Sequence, residues 1–226
     1  MIRSTKHKMN FFGSLFLLII ISVLWYAILH GNLIQGKEQE HSSDDKVYTV
    51  VIDPGHGGKD VGATGVNGLY EKDFTLSLSR KIKDILGKEK KIKVYMTRDE
   101  DTFLSSEDKY RPKYANELKA DLFISIHGNT YEDPEVSGTE AYYYHAGSKS
   151  FAEILHEKVV TATGFHDRGV KKNDFFVVKY TDMPSVLLEI GYLTNPEEEQ
   201  RMIDDKSQDS TAQAICDGVN EYLGLD

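Results

Sequence analysis

The chain has 226 residues and 40% hydrophobic content, enough for one ordinary globular domain with its own core. Its formal net charge is −9, and residues 47–226 hold 22 Lys/Arg against 32 Asp/Glu. An acidic body excludes nucleic acid as the main partner, because a phosphate backbone requires a basic face, and the lone Cys216 excludes a disulfide scaffold.

The N-terminus reads as a membrane segment. Residues 1–10 form a basic tail with Arg3, Lys6 and Lys8 and no acid. Residues 11–29 then run from Phe11 to Leu29 without a charge, close to the roughly 20 residues a helix needs to cross the hydrocarbon layer. Basic residues ahead of the run predict a cytoplasmic N-terminus and an exported body, and Trp25 and Tyr26 near its outer end suit the membrane interface. The segment is either a cleaved signal or an uncleaved transmembrane anchor. Ala27-Ile-Leu29 is a poor small-x-small cleavage site and the run is long for a signal, which favours the anchor. Residues 30–46, polar from Gln35 to Asp45, read as a solvated linker.

From Val47 to the end the pattern alternates between strands and helices, and residues 47–226 read as one catalytic domain. Strands are expected over 47–52, 92–96, 121–126, 140–144, 175–179 and 185–190, and helices over 71–87, 105–119, 148–161, 196–203 and 210–223. The run 121–126 is apolar enough to be a central strand. Such alternation predicts an α/β domain around a largely parallel or mixed sheet, with no internal repeat and no second domain. Cys216 lies among apolar residues at helical spacing, so it reads as a buried helix residue rather than a nucleophile.

Sites in open α/β sheets form outside the carboxyl ends of strands. His56 follows the first strand in Asp53-Pro-Gly-His-Gly-Gly58, and His127 follows the third in Ser125-Ile-His-Gly-Asn129. Glu189 lies at the end of the last strand, and Glu71 opens the first helix. Two imidazoles and one carboxylate make a common catalytic zinc set with an open position for water. A second carboxylate must then move protons, because an amide leaves poorly until its nitrogen is protonated. Glu189 fits that role, and its apolar neighbours predict a raised pKa. Taken singly, each residue has a plainer reading. His56 suits a structural or phosphate-contacting turn, His127 a hydrogen-bonded strand end, and Glu71 the dipole of a first helical turn. Glu189 is the strongest alone, since a carboxylate in an apolar strand is costly to bury without a purpose.

Five segments in order resemble the zinc-dependent N-acetylmuramoyl-L-alanine amidases of the type 3 amidase family. They are Val51-Ile-Asp-Pro-Gly-His-Gly-Gly58, Tyr70-Glu-Lys-Asp-Phe74, Thr97-Arg-Asp-Glu-Asp-Thr102, Ala120-Asp-Leu-Phe-Ile-Ser-Ile-His-Gly-Asn129, and the stretch from Arg168 through Met183 to Asn195. The resemblance implies zinc ligands at His56, Glu71 and His127 and a catalytic Glu189. It implies cleavage of peptidoglycan between the lactyl group of N-acetylmuramic acid and the L-alanine of the stem peptide. It also implies a twisted, mostly parallel six-stranded sheet with helices on both faces. Gly128 and Thr130 depart from the family, which has a small apolar residue and Ala there; this bears on loop shape, not on metal binding. Asn129 matches the family and either orients a ligand, touches substrate or makes an Asx-type turn. Arg98, Arg168 and Lys179 are candidates for a stem-peptide carboxylate, against a reading as solvated charge. Packing is the default reading for Tyr142, Tyr143 and Tyr144. The short build with an N-terminal hydrophobic segment looks like the members acting in spore cortex formation and germination, some of which need an activating protein partner. An open site is expected, with the 129–137 loop as its one possible cover. The alternatives carried forward are another exported zinc peptidase acting on wall peptides and a catalytically silent wall-binding protein.

Overall fold

The computed structural model describes residues 46–225, together with Ser22, Trp25 and Tyr26. The expected basic tail, nearly all of the expected membrane segment and the linker lie outside the described residues. Among the described residues no helix is long and apolar enough to cross a membrane.

The strands are β1 (Tyr48–Pro54), β2 (Ile92–Met96), β3 (Leu122–Asn129), β4 (Thr139–Tyr143), β5 (Asp167–Lys172) and β6 (Ser185–Tyr192). The helices are α1 (Glu71–Leu86), α2 (Tyr110–Glu117), α3 (Lys149–Thr163), the single turn α4 (Phe176–Lys179), α5 (Pro196–Ile203) and α6 (Asp205–Leu223). The strands form one sheet in the order β2-β1-β3-β6-β4-β5. It is mixed: β1–β2, β1–β3, β3–β6 and β4–β5 pair in parallel, while β4 runs antiparallel to β6.

Period-two alternation divides the sheet into two unequal faces. Val50, Ile52, Ile124, Ile126, Leu188 and Ile190 point into the larger core cluster, which α1, α3 and α6 cover. Val51, Phe123 and Leu187 point the other way into a smaller cluster, covered by α2 and the turn α4. Asp53, Ser125, His127 and Glu189 share the alternation of this second face, so the polar residues emerge where the cover is thin. Cys216 is buried against Ile82, and burial pushes its thiol up to about 12, which fits a packed helix residue and not a nucleophile.

Three elements differ from the expectation. Residues 175–179 form the helical turn α4, not a strand, and the edge position belongs to β5. In Phe176–Lys179 the consecutive residues Val177 and Val178 are both buried, which a half-covered strand cannot achieve. β5, Asp-Arg-Gly-Val-Lys-Lys, lacks apolar alternation because an edge strand tolerates polar residues on both faces. The helix expected from 105 begins at Tyr110, since Pro112 is accommodated only in a first turn. The last helix begins early, at Asp205, because the Asp204 side chain accepts from the Ser207 N–H and caps it.

The turn after β1 is built on a buried charge. Asp53, fully buried, accepts from Thr97 Oγ1 at 2.5 Å, from Ser125 Oγ at 2.7 Å and from Arg111 Nη1 at 2.6 Å. Arg111 also donates to the carbonyls of Pro54 and His56, both at 2.6 Å, so one guanidinium holds the backbone on both sides of Gly55. Arg98, buried as well, donates to the Pro54 and Gly55 carbonyls at 3.1 and 2.7 Å. That binding to the backbone overturns the expectation of Arg98 as a substrate contact. Replacing one partner of a buried ion pair strands the other. Arg111→Ala is therefore expected to lower unfolding stability by about 3–5 kcal/mol in chemical denaturation.

Candidate metal centre

His56 sits in the left-handed region at φ 59°, an unusual place for a side chain with a Cβ. The flanking glycines make the turn possible: Gly57 and Gly58 also have positive φ, at 132° and 59°. Gly55 and Gly62 serve a second need. A Cβ at Gly55 would run into the His127 ring, and one at Gly62 into Glu71 and His56.

Glu71 reaches the same place from the first turn of α1, where the helix dipole favours a carboxylate. Its Oε2 lies 3.1 Å from His56 Nε2, and its Oε1 lies 2.9 Å from His127 Nδ1. Two backbone donors hold it in register: the Ala63 N–H at 2.8 Å and the Gly128 N–H at 3.1 Å. Burial by itself would raise the Glu71 pKa, but hydrogen bonds from His127 and His56 hold it well below the usual carboxylate range. His56 Nδ1 faces Asp60 Oδ1 at 2.9 Å, which orients the ring and leaves Nε2 turned inward. Burial opposes charge on His56, yet the Glu71 and Asp60 carboxylates raise its pKa.

The three residues offer one ligand atom each, all within 4.8 Å of one another. Ligands about 2.0–2.2 Å from a common tetrahedral ion stand a little over 3 Å apart, close to the spacing of these donors. The set fits zinc on its chemistry as well: two imidazoles and one carboxylate, with a second carboxylate behind one imidazole.

Glu189 stands beside His127 in the β3–β6 register and across from Glu140 in β4. Its Oε2 is buried and has no hydrogen-bond partner among the described residues. Burial pushes its pKa up to about 7, with the nearby Glu71 and Glu140 charges adding to the rise and His127 opposing it. His56, His127 and Glu189 line the polar part of a cleft of about 300 Å³, and Phe103, Leu104 and Phe175 line its apolar part. No residue of the 129–137 loop lines that cleft. The loop is tied instead to the β6–α5 connection, where the Tyr131 N–H donates to Thr194 Oγ1 and Asn195 Nδ2 to the Pro134 carbonyl.

The fold thus brings together His56, Glu71, His127 and Glu189. Asn129 closes on its own chain, its Oδ1 accepting from the Thr130 N–H at 2.8 Å. Arg168 is held by Glu140, with Nε at 2.6 Å from Oε1. Asp60, Asp53 and Arg111 carry no local signal in the sequence that marks them for a role at the site. Glu140 carried a usable signal, because the criterion that singled out Glu189, a carboxylate inside an apolar strand, applies to Thr139–Tyr143 as well.

Comparisons with known proteins agree with this geometry. Residues 50–221 match the Amidase_3 family, described as N-acetylmuramoyl-L-alanine amidase. The chain is 34% identical over 202 residues to a probable cell wall amidase LytH of Staphylococcus epidermidis, covering 88% of this chain and 67% of that protein. The catalytic domain of CwlV, an N-acetylmuramoyl-L-alanine amidase from Bacillus (Paenibacillus) polymyxa var. colistinus, superposes with a TM-score of 0.77 at 44% identity, covering 80% of this chain and all of that one. The CwlD amidase from Clostridioides difficile, solved in complex with the GerS lipoprotein, gives a TM-score of 0.73 at 28% identity over 79% of this chain and all of that one. With a family match that spans residues 50–221 and includes every residue of the His–Glu–His cluster, the chain belongs to the Amidase_3 family of N-acetylmuramoyl-L-alanine amidases.

Proposed function

We propose that the chain is a zinc-dependent N-acetylmuramoyl-L-alanine amidase acting on peptidoglycan, with His56, Glu71 and His127 holding the metal and Glu189 moving the proton. The observation that carries this reading is the shared carboxylate: Glu71 meets one nitrogen of each histidine at 2.9 and 3.1 Å, with the orphaned Glu189 carboxylate on the adjoining strand. When bound, zinc polarises a carbonyl and lowers the pKa of water toward about 7. Glu189 takes a proton from the attacking water and returns it to the amide nitrogen as the carbon–nitrogen bond breaks. The products are the lactyl carboxylate on the glycan and a free L-alanine amine on an intact stem. Asp60 keeps the His56 ring turned, and the Ala63 and Gly128 amides keep the Glu71 carboxylate in place.

The same proposal places the protein outside the cytoplasm, anchored in the membrane by residues 11–29. A protein partner that activates it belongs to this reading, motivated by the GerS lipoprotein bound to the related CwlD. A role in spore cortex maturation or germination rests on the same likeness and on the short build.

Chelation is expected to abolish release of L-alanine amino groups from muropeptides, and zinc to restore it. Glu189→Gln is expected to retain zinc by elemental analysis while losing about 10²–10⁴-fold in kcat; undiminished turnover would remove Glu189 from the mechanism. Glu189 works ionised, so kcat/KM is expected to fall as pH drops through its pKa. The metal's positive charge favours the ionised form, so that limb lies between the ordinary 4.5 and the metal-free value of about 7. The full-length chain is expected to pellet with membranes and resist carbonate extraction. Purified chain is expected to turn over more slowly than the same chain in its native membrane fraction.

A further inference from the structure

Beyond Glu189 the same sheet face continues into a second charged group. Glu140 pairs directly with Glu189 across the β4–β6 register, and β5 lies on the far side of β4. Glu140 is buried and fully engaged. Oε1 accepts from Arg168 Nε at 2.6 Å and from Tyr192 OH at 2.8 Å, while Oε2 accepts from Tyr142 OH and faces Lys171 Nζ at 3.1 Å. Two cations therefore serve one carboxylate. Both cations remain partly open to solvent, the Arg168 side chain by 34% and that of Lys171 by 44%. Arg168 also has a built seat. A Cβ at Gly138 would overlap its stem, and its guanidinium stacks 5.4 Å from the Tyr192 ring centre. A guanidinium carries five N–H donors and an ammonium three, so neither group is exhausted by Glu140.

We infer that Arg168 and Lys171 form a carboxylate subsite for the stem peptide, which makes the enzyme selective for a free acid near the scissile bond. The inference rests on the amidase reading above and deepens it. Distance along the sheet supplies the ruler. β6 and β5 are two strand spacings apart, about 10 Å, and the long Arg and Lys side chains shorten that reach from Glu189. From a scissile nitrogen the next residue's carboxylate lies roughly 5–7 Å away, and each further residue adds at most about 3.5 Å. A carboxylate on the second or third stem residue thus falls within the span. The subsite therefore distinguishes a stem with a free α-carboxylate at that position from one with an α-carboxamide. Selectivity arises because a carboxylate accepts charge-assisted hydrogen bonds from the two partly exposed cations and a carboxamide does so far less strongly.

The test is a two-by-two comparison of matched muropeptides bearing the α-carboxylate or the α-carboxamide. The wild type is expected to show a KM about tenfold or more lower for the carboxylate, with similar kcat. Arg168→Gln with Lys171→Gln is expected to bring the carboxylate-to-carboxamide KM ratio close to one, whatever the stranded Glu140 charge does to turnover on both substrates. Should the double variant fold poorly, Lys171→Gln alone is expected to remove part of the preference, since Lys171 lies more open. Equal KM for both substrates in the wild type, or variants that lose the same factor on both, would overturn the subsite. Equilibrium binding of the two muropeptides to Glu189→Gln keeps the question independent of turnover. If wild type cuts neither substrate, the amidase reading fails, while a carboxylate preference in binding still supports the subsite and its absence still refutes it.

Discussion

One buried carboxylate organises the catalytic end of this domain. Glu71 is nearly inaccessible to solvent, and an isolated ion there is unfavourable by several kcal/mol. It is tolerated because two imidazoles and two backbone N–H groups converge on it, His56 and Ala63 from the β1–α1 connection and His127 and Gly128 from the end of β3. Each of those segments is constrained in turn. The His56 loop adopts a left-handed backbone, Gly55 and Gly62 leave room for rings and carboxylate, and the Gly128 amide lies at the irregular end of β3.

The second support is the polar cluster beneath the loop. Asp53 and Arg111 fasten the β1 turn to the sheet and to α2, and Arg98 binds the same backbone from the other side. These are expensive groups to bury, and each is satisfied by several hydrogen bonds. Their effect is geometric: they hold irregular backbone that no regular ladder would hold. The site therefore occupies a rigid rim even though His56 lies beyond the end of β1 and Glu71 is the first residue of α1.

The unequal faces of the sheet account for access. Helices α1, α3 and α6 seal one side, whereas α2 and the turn α4 cover the other only in part. The uncovered part is the cleft, with the metal residues at one end and Phe103, Leu104 and Phe175 at the other. A charged row then runs sideways from Glu189 through Glu140 to Arg168 and Lys171.

Much of this was legible in the linear chain. Apolar alternation located β1, β2, β3, β4 and β6 to within a few residues, and His56, Glu71, His127 and Glu189 emerged because each stands at or beside the end of an element expected from the sequence. What escaped were features without a local signal. β5 is a polar edge strand, recognisable only once β4 presents it with a free edge, and Phe175–Lys179 has strand-like composition but folds as a turn because that edge is already taken. Arg98 and Arg168 looked alike as exposed cations; in the fold one is buried against carbonyls and the other is seated over Gly138 on Glu140. The sequence by itself determined the element types and the inventory of reactive groups, because periodicity and residue chemistry are local properties. Only the tertiary structure decided which carboxylate faces which cation, since such pairings join residues dozens of positions apart and depend on how the strands are ordered in the sheet.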